Sequence, residues 1–367
     1  MSPSPPPNSP PAGKKFYLFG YPIAHSAAPA LHGACFKAWG VGALNTYELW
    51  SSSKVTEDLL KVLSSDDFGG SAVTMPLKTD MLSYLDEISP ESRITGACNT
   101  IVRVPTPTGF KLVGQNTDIL GVRNALLRGV RMQFPKLTIP SEVSYPACVR
   151  GAGLVIGGGA TTRSAAHALT LLGLSPIFLI NRDVGEVRAV QVSLPHLTEK
   201  GSLIHLRNPD DVEKHLAQPD SVRILMIVGA IPSFAPITPE ERMVYTTVSS
   251  VLTIPYNKPT EVSEALPVPN KRLFLEMAYK PRSTPMLQVA IAHGWHGIDG
   301  VQAMIEQGLA QQRMWYTSTP TLEVGSDQRI LGHADLPARN ICENMGDVAV
   351  VGSELDRAAG KGPARRR

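Results

Sequence analysis

Between residues 154 and 180 the chain reads strand, glycine run, helix, strand: Leu154-Val155-Ile156, then Gly157-Gly158-Gly159-Ala160, an Ala- and Leu-rich helix to about Leu172, and Pro176 to Ile180 (PIFLI). That order is the βαβ context a dinucleotide fold requires, and the context matters more than the glycines themselves. Gly157 permits the tight turn, Gly159 lets backbone approach a pyrophosphate, and the helix start offers free N–H groups at the positive end of its dipole. Thr162 stands where a third glycine completes the G-x-G-x-x-G pattern, and no Gly-Lys-Ser/Thr follows, so the run is not a Walker loop. At the end of the second strand come Asn181, Arg182 and Asp183, the place where such a fold touches the adenosine ribose. Arg182 suits adenine stacking or a 2′-phosphate, Asp183 a free 2′-hydroxyl, and a solvated Arg–Asp pair is an equal reading of the same residues.

The same alternation runs through the rest of the chain. Phe16 to Gly20 reads as a buried strand, Ala30 to Ala38 as a helix, Ala43 to Leu49 as a strand, Val55 to Leu63 as a helix and Gly70 to Thr74 as a strand. A helix or two is expected over Asp80 to Ile94, and a hairpin from Cys98–Val104 and Lys111–Gly114 around Pro105-Thr106-Pro107-Thr108-Gly109. Residues 131–152 hold three prolines and little periodicity, which predicts a linker or insertion. Later strands are expected at Ile224–Val228, Ser250–Thr253 and Arg272–Met277, and a strong helix at Gly300–Trp315. The fold class is therefore α/β, with two domains.

Charge and cysteine usage exclude several functions. Lys plus Arg exceeds Asp plus Glu by 35 − 32 = 3, and three of those cations are Arg365, Arg366 and Arg367, so the body is near neutral and offers no nucleic-acid face. Cys35, Cys98, Cys148 and Cys342 are far apart, with no C-x-x-C pair to hold zinc, and read as reduced thiols. His25 and His32, seven apart with no carboxylate partner, read as cap or packing residues, and no metal is expected. No apolar run of membrane-spanning length occurs, and the proline-rich leader MSPSPPPNSPPAGKK has no apolar core of a secretory signal, so a cytoplasmic location is expected.

Polar residues gather at predicted strand ends of the first half: Ser26, Thr74, Lys78, Asn99, Thr100, Asn116, Thr117 and Asp118. In open α/β sheets such positions converge on a crevice at the carboxyl ends of the strands. Hydride transfer from an alcohol to a nicotinamide also needs a group to take the hydroxyl proton; Lys78 can serve, with Asp118 orienting it.

These residues resemble the shikimate dehydrogenase family, including its quinate/shikimate branch. Pro22-Ile23-Ala24-His25-Ser26 with Pro29 and His32 is similar to P-I-x-H-S-x-S-P-x-x-H-N, and Val73-Thr74-Met75-Pro76-Leu77-Lys78 to V-T-x-P-x-K. Gly96-Ala97-Cys98-Asn99-Thr100-Ile101 is similar to G-A-V-N-T-I, and Gly114-Gln115-Asn116-Thr117-Asp118 with Gly121 to G-x-N-T-D-x-x-G. Tyr279-Lys280-Pro281 with Thr284-Pro285, then Asp299-Gly300 and Gln307, complete the set in family order.

The resemblance covers about 16–317 and implies a disordered leader over 1–15, a substrate-binding catalytic domain over 16–121, a Rossmann-type NAD(P)-binding domain over 122–299, a helix over 300–318 returning to the first domain, and a tail over 319–367. It implies reversible oxidation of shikimate or quinate with NAD or NADP, and no nucleic-acid or membrane partner. By the same resemblance Lys78 and Asp118 are expected to form the catalytic pair, Ser26, Thr74, Asn99, Tyr279 and Gln307 to contact substrate, and Gly157, Gly158, Gly159, Ala160, Asn181, Arg182, Asp183 and Gly300 to hold the cofactor.

Some positions depart from the pattern. Ala28 stands where the family has a second serine, Gly33 and Ala72 stand where it has asparagines, and Asp183 replaces the threonine of an Asn-Arg-Thr clamp. A hydrogen bond lost from a substrate carboxylate costs about 1.5–3 kcal/mol of binding. Asp183 disfavours a 2′-phosphate, which points to NAD or dual use. Two other readings exist: a non-catalytic quinate or shikimate sensor on the same scaffold, which retention of Lys78 and Asp118 opposes, and a lysine-using dehydrogenase of a folate, which Ser26 and Thr74 oppose.

Overall fold

The computed structural model describes residues 13–346, apart from 25, 141, 142, 234, 259–265 and the side chain of 147. Most of the expected leader, His25 and the end of the expected tail thus lie outside the described residues. In chain order the elements are β1 (Lys15–Gly20), α1 (Ala28–Ala38), β2 (Thr46–Ser51), α2 (Glu57–Leu63), β3 (Phe68–Val73), β4 (Glu87–Ile88), α3 (Pro90–Thr95), β5 (Thr100–Thr106), β6 (Gly109–Gln115) and α4 (Asp118–Gln133). Then follow β7 (Gly151–Ile156), α5 (Ala160–Leu171), β8 (Ile177–Ile180), α6 (Val184–Ser193), α7 (Pro195–Thr198), β9 (Leu203–His205), α8 (Pro209–Leu216), β10 (Arg223–Gly229) and α9 (Pro239–Leu252). The chain continues through β11 (Leu273–Glu276), α10 (Pro285–Ala292), β12 (His296–Ile298), α11 (Gly300–Thr317), α12 (Leu322–Ser326) and α13 (Asp335–Glu343). Two compact units result: the described residues up to Gly121 with Met304–Gly346, and Val122–Ala303.

In the first unit the strand order is β2-β1-β3-β5-β6-β4. β1 pairs in parallel with β2 and β3, whereas β5 runs antiparallel to both β3 and β6, so the sheet is mixed. One face packs Tyr17, Phe19, Leu59, Phe68, Leu77 and Met81 together, and the other packs Phe16, Phe36, Val102, Leu120, Met314 and Trp315. Two buried faces explain why β1 is apolar continuously from Phe16 to Phe19 rather than alternating.

The second unit is a parallel sheet ordered β12-β11-β10-β7-β8-β9. Counted from β7, that is the 3-2-1-4-5-6 order of a doubly wound fold, whose switch point lies between β7 and β10. Every residue of β7 and β8 is buried, as helices on both faces demand.

Several expectations need correction. Ser250–Leu252 end helix α9 rather than forming a strand: Thr238 and Glu241 make a reciprocal capping box at its start, and Val244, Val248, Val251 and Leu252 turn inward at helical spacing. Asp80–Ile94 holds a 3-10 turn at Asp80–Tyr84, the two-residue β4 and then α3. The expected linker over 131–152 begins inside α4 and ends inside β7, and Lys15 of the expected leader opens β1. Polar residues 322–343, given no element from sequence, form α12 and α13.

Candidate active site

Lys78 sits in the turn after β3, and Leu77 before it and Met81 after it are both fully buried. Its carbonyl accepts from Cys98 N at 2.8 Å, which ties the turn to the segment leading into β5. Asp118 is the first residue of α4. Lys78 Nζ donates to Asp118 Oδ2 at 2.5 Å, with side chains 18% and 12% exposed, so the pair is screened yet reachable.

Asn99 orients this pair. Its Nδ2 donates to Asp118 Oδ1 at 2.8 Å and lies 3.4 Å from Gln307 Oε1, while its Oδ1 accepts from Thr117 N at 2.7 Å and Thr100 Oγ1 at 2.7 Å. The two oxygens of Asp118 are thus bonded to different donors, and the carboxylate cannot rotate without losing one of them. Gln307 projects from α11 and donates Nε2 to Met304 O at 3.0 Å. One turn further along, buried Gln311 donates to Asn99 O and Thr100 Oγ1, each at 3.1 Å. Sequence reasoning missed Gln311, although its i+4 spacing from Gln307 signals a shared helix face.

The structure therefore joins Lys78, Asn99, Asp118 and Gln307 in one hydrogen-bonded group. Ser26 and Thr74 lie outside it: Ser26 Oγ accepts from Ala28 N at 3.2 Å, and Thr74 N donates to Phe19 O at 2.8 Å at the end of β3. Tyr279 belongs to the second unit, on the loop after β11. His32 is fully buried, stacked on Tyr47 with Gln312 Nε2 2.8 Å from its Nδ1, and burial pushes its pKa down to about 3, so it is a neutral packing residue. Among the described residues no His, Cys, Asp and Glu cluster is placed to hold a metal ion, and no helix is long and apolar enough to cross a membrane.

In the second unit the glycine turn fits a phosphate group. Gly157 has φ +140°, and a Cβ there meets Thr162 Oγ1 and Ala230 O below 3 Å. Gly159 opens onto space, with nothing within 4 Å of an added Cβ. It precedes α5 with no side-chain cap, so the first N–H groups of that helix face outward unclaimed by any side chain.

The segment that follows β8 is acidic. Asp183 Oδ1 accepts from Gly185 N at 2.7 Å and Glu186 N at 3.1 Å, capping α6, so its carboxylate is partly committed. Glu186 reaches back instead: Oε2 accepts from Asn181 Nδ2 at 2.7 Å and lies against Gly158. Arg182 pairs with Glu241. Sequence reading missed both glutamates. Gly300 has a packing reason to be glycine, since a Cβ there falls 2.6 Å from Met277 O and 2.7 Å from Glu276 O.

Fold and site together define a class: an α/β protein pairing a doubly wound dinucleotide-type unit with a mixed-sheet unit that carries a lysine–aspartate pair at its strand ends. Comparison with known proteins narrows this. Residues 18–101 match the model of the shikimate dehydrogenase substrate binding domain. The chain is 34% identical over 304 residues to the pentafunctional AROM polypeptide of Schizosaccharomyces japonicus, covering 82% of this chain and 17% of that protein. The dehydroquinate dehydratase and shikimate dehydrogenase structure from S. pombe AroM matches with TM-score 0.63 and 30% identity, over 86% of this chain and 52% of that one. The chain thus spans a fraction of the length of these relatives. Quinate dehydrogenase from Corynebacterium glutamicum in complex with NAD shares the fold over 86% of this chain and 98% of its own, with TM-score 0.60 and 21% identity. Residues 18–101 thus carry the substrate binding domain of the shikimate dehydrogenase family, and these matches together support that family for the chain.

Proposed function

We propose that the protein is an NAD(P)-dependent dehydrogenase that reversibly oxidises a ring hydroxyl of shikimate, quinate or both to the ketone. The observation that carries this reading is the hydrogen-bonded group of Lys78, Asp118, Asn99 and Gln307, three of them on the motifs that resemble the family's catalytic segments. The nicotinamide cofactor, when bound, supplies the acceptor for the hydride leaving carbon. Lys78, as the neutral amine, takes the hydroxyl proton as the carbonyl forms; in the reverse direction its ammonium returns that proton to the nascent alkoxide. Asp118 holds Nζ in place, and Asn99 holds Asp118. Ser26, Thr74, Gln307 and Tyr279 are the proposed contacts for the remaining hydroxyls and the carboxylate. Gly157, Gly158, Gly159 and Ala160 are the proposed seat of the pyrophosphate, with Asn181 and Arg182 beside the adenosine.

The acidic surroundings of Asn181 support NAD over NADP. A 2′-phosphate brings close to two negative charges to a place where Asp183, Glu186 and Glu241 stand against the single guanidinium of Arg182, already paired. A spectrophotometric assay at 340 nm crossing quinate and shikimate with NAD and NADP tests the whole reading. Turnover is expected with at least one acid, faster with NAD at equal concentration. Absence of turnover in all four combinations overturns the activity, and a clear NADP preference overturns the cofactor assignment.

A further inference from the structure

Helices α1 and α11 of the first unit approach closely where Gly308 meets Leu31: a Cβ added at Gly308 falls 3.0 Å from Leu31 Cδ1. This approach brings His32 of α1 against Gln311 and Gln312 of α11, and all three side chains are buried. Packing accounts for the faces of the imidazole, with the ring centroids of Tyr47 at 4.4 Å and Trp315 at 4.9 Å. It leaves unexplained the two ring nitrogens, which are polar and shut away from water.

Each nitrogen has a defined role. Gln312 Nε2 lies 2.8 Å from Nδ1, and an amide N–H only donates, so Nδ1 is the acceptor. The ring is neutral, because burial holds its pKa near 3, and its single proton therefore sits on Nε2. The neighbouring Gln311 side chain raises the basicity of the ring, as an acceptor beside an imidazole N–H does. Nε2 and Gln311 Oε1 are both buried and neither is satisfied by any other group, so donor and acceptor complete one another.

From Gln311 the bonding continues to the candidate catalytic pair. Gln311 Nε2 donates to Asn99 O and Thr100 Oγ1, Thr100 Oγ1 donates to Asn99 Oδ1 at 2.7 Å, and Asn99 Nδ2 donates to Asp118 Oδ1 at 2.8 Å. An amide is planar, so a bond that fixes its oxygen also fixes the direction in which its nitrogen donates. Without one, Gln311 is held at its nitrogen alone.

We propose, resting on the reading of Lys78 as the proton carrier, that His32 is a positioning residue for Lys78 and Asp118. Its Nε2–H donates to Gln311 Oε1 and sets the Gln311 amide, whose nitrogen fixes the Asn99 and Thr100 pair that aims Asp118 at Lys78. Fully buried, His32 acts on the reaction only through this series of hydrogen bonds.

Steady-state kinetics on variants checked for folding by thermal unfolding tests this role. His32→Phe keeps a ring against Tyr47 and removes both nitrogens; kcat should fall about tenfold, with KM changed by less than about threefold. Gln311→Met should give a similar fall, and the double variant no further fall, because both cut the same series. His32→Gln puts an amide N–H where Nε2 stood and should recover most of the loss, whereas the amide of His32→Asn reaches only the Nδ1 position and should not. A wild-type kcat in folded His32→Phe overturns the proposal. So do losses that multiply in the double variant, and so does a kcat of His32→Asn equal to that of His32→Gln, a comparison that carries the test if His32→Phe fails to fold. An inactive wild type overturns the proposed dehydrogenase activity and this role with it, an outcome distinct from an active wild type whose kcat the variants leave untouched.

Discussion

Asn99 shows how one amide can serve two purposes, since its nitrogen directs Asp118 while its oxygen collects Thr117 N and Thr100 Oγ1. The residue was legible in sequence as part of a motif, but the bonding pattern was not, because partners separated by up to 212 residues meet only in the folded chain. Glu276 was not legible at all. It is 2% exposed at the end of β11, accepting from Ala278 N at 3.2 Å and Thr284 Oγ1 at 3.0 Å, and burial pushes its pKa up to about 7. The folded state therefore holds this proton more tightly than the unfolded chain, whose carboxyl titrates near 4.5. Stability from this group is complete below about pH 4.5, falls as pH rises to about 7 and is flat above, a loss of about 3 kcal/mol at most. Denaturant unfolding of Glu276→Gln from pH 5 to 8 should show a shallower decline than the wild type, with the gap widening toward pH 8. Parallel curves would contradict the assignment.

At the level of elements, the pieces that sequence revealed are those whose local signals suffice. β7, the glycine turn, α5 and β8 combine continuous apolar runs with a glycine that only a turn explains. Helix α9 misled at its end because Val251, Leu252 and Thr253 have strand-like composition, while the decisive capping signal sat at Thr238 and Glu241, well upstream. Helix α13 had no local signal to read, and its stability is tertiary. Arg339 donates to Glu306 of α11 at 2.7 Å and to Asp335, and Arg313, fully buried on α11, donates to Asp335 at 2.9 Å and Gly325 O at 2.8 Å. Two guanidiniums and two carboxylates balance inside the first unit and clamp α13 to the helix that bears Gln307. Removing one partner leaves an uncompensated buried charge, so Arg339→Met should cost about 3–5 kcal/mol in denaturant unfolding. With the folded variant, KM should rise more than kcat falls, as Gln307 loses its fixed position. A stability change within about 0.5 kcal/mol would mean the network carries no load.

Across the whole molecule, chemistry-bearing residues are divided between two units of different sheet topology, one mixed and one parallel. That division predicts separable footprints. In hydrogen exchange, NAD should slow amides over 157–162 and 181–186, whereas shikimate or quinate alone should slow those near Asn99, Asp118 and Gln307. NAD that leaves the glycine turn unprotected would remove it from cofactor binding. The two-unit plan was legible in sequence through the repeated strand–helix alternation. The bounds of the first unit were less so, because residues 319–346 return to it through ion pairs and small apolar contacts that leave little periodic trace.

The central claim is that Lys78 moves the proton in a dehydrogenase reaction, and the kcat of Lys78→Met, measured with substrate Kd on the same preparation, tests it most directly. The account predicts a fall of about 10²–10⁴-fold in kcat with Kd changed by no more than a few-fold, since proton transfer contributes in the transition state. A kcat within a few-fold of wild type would contradict it.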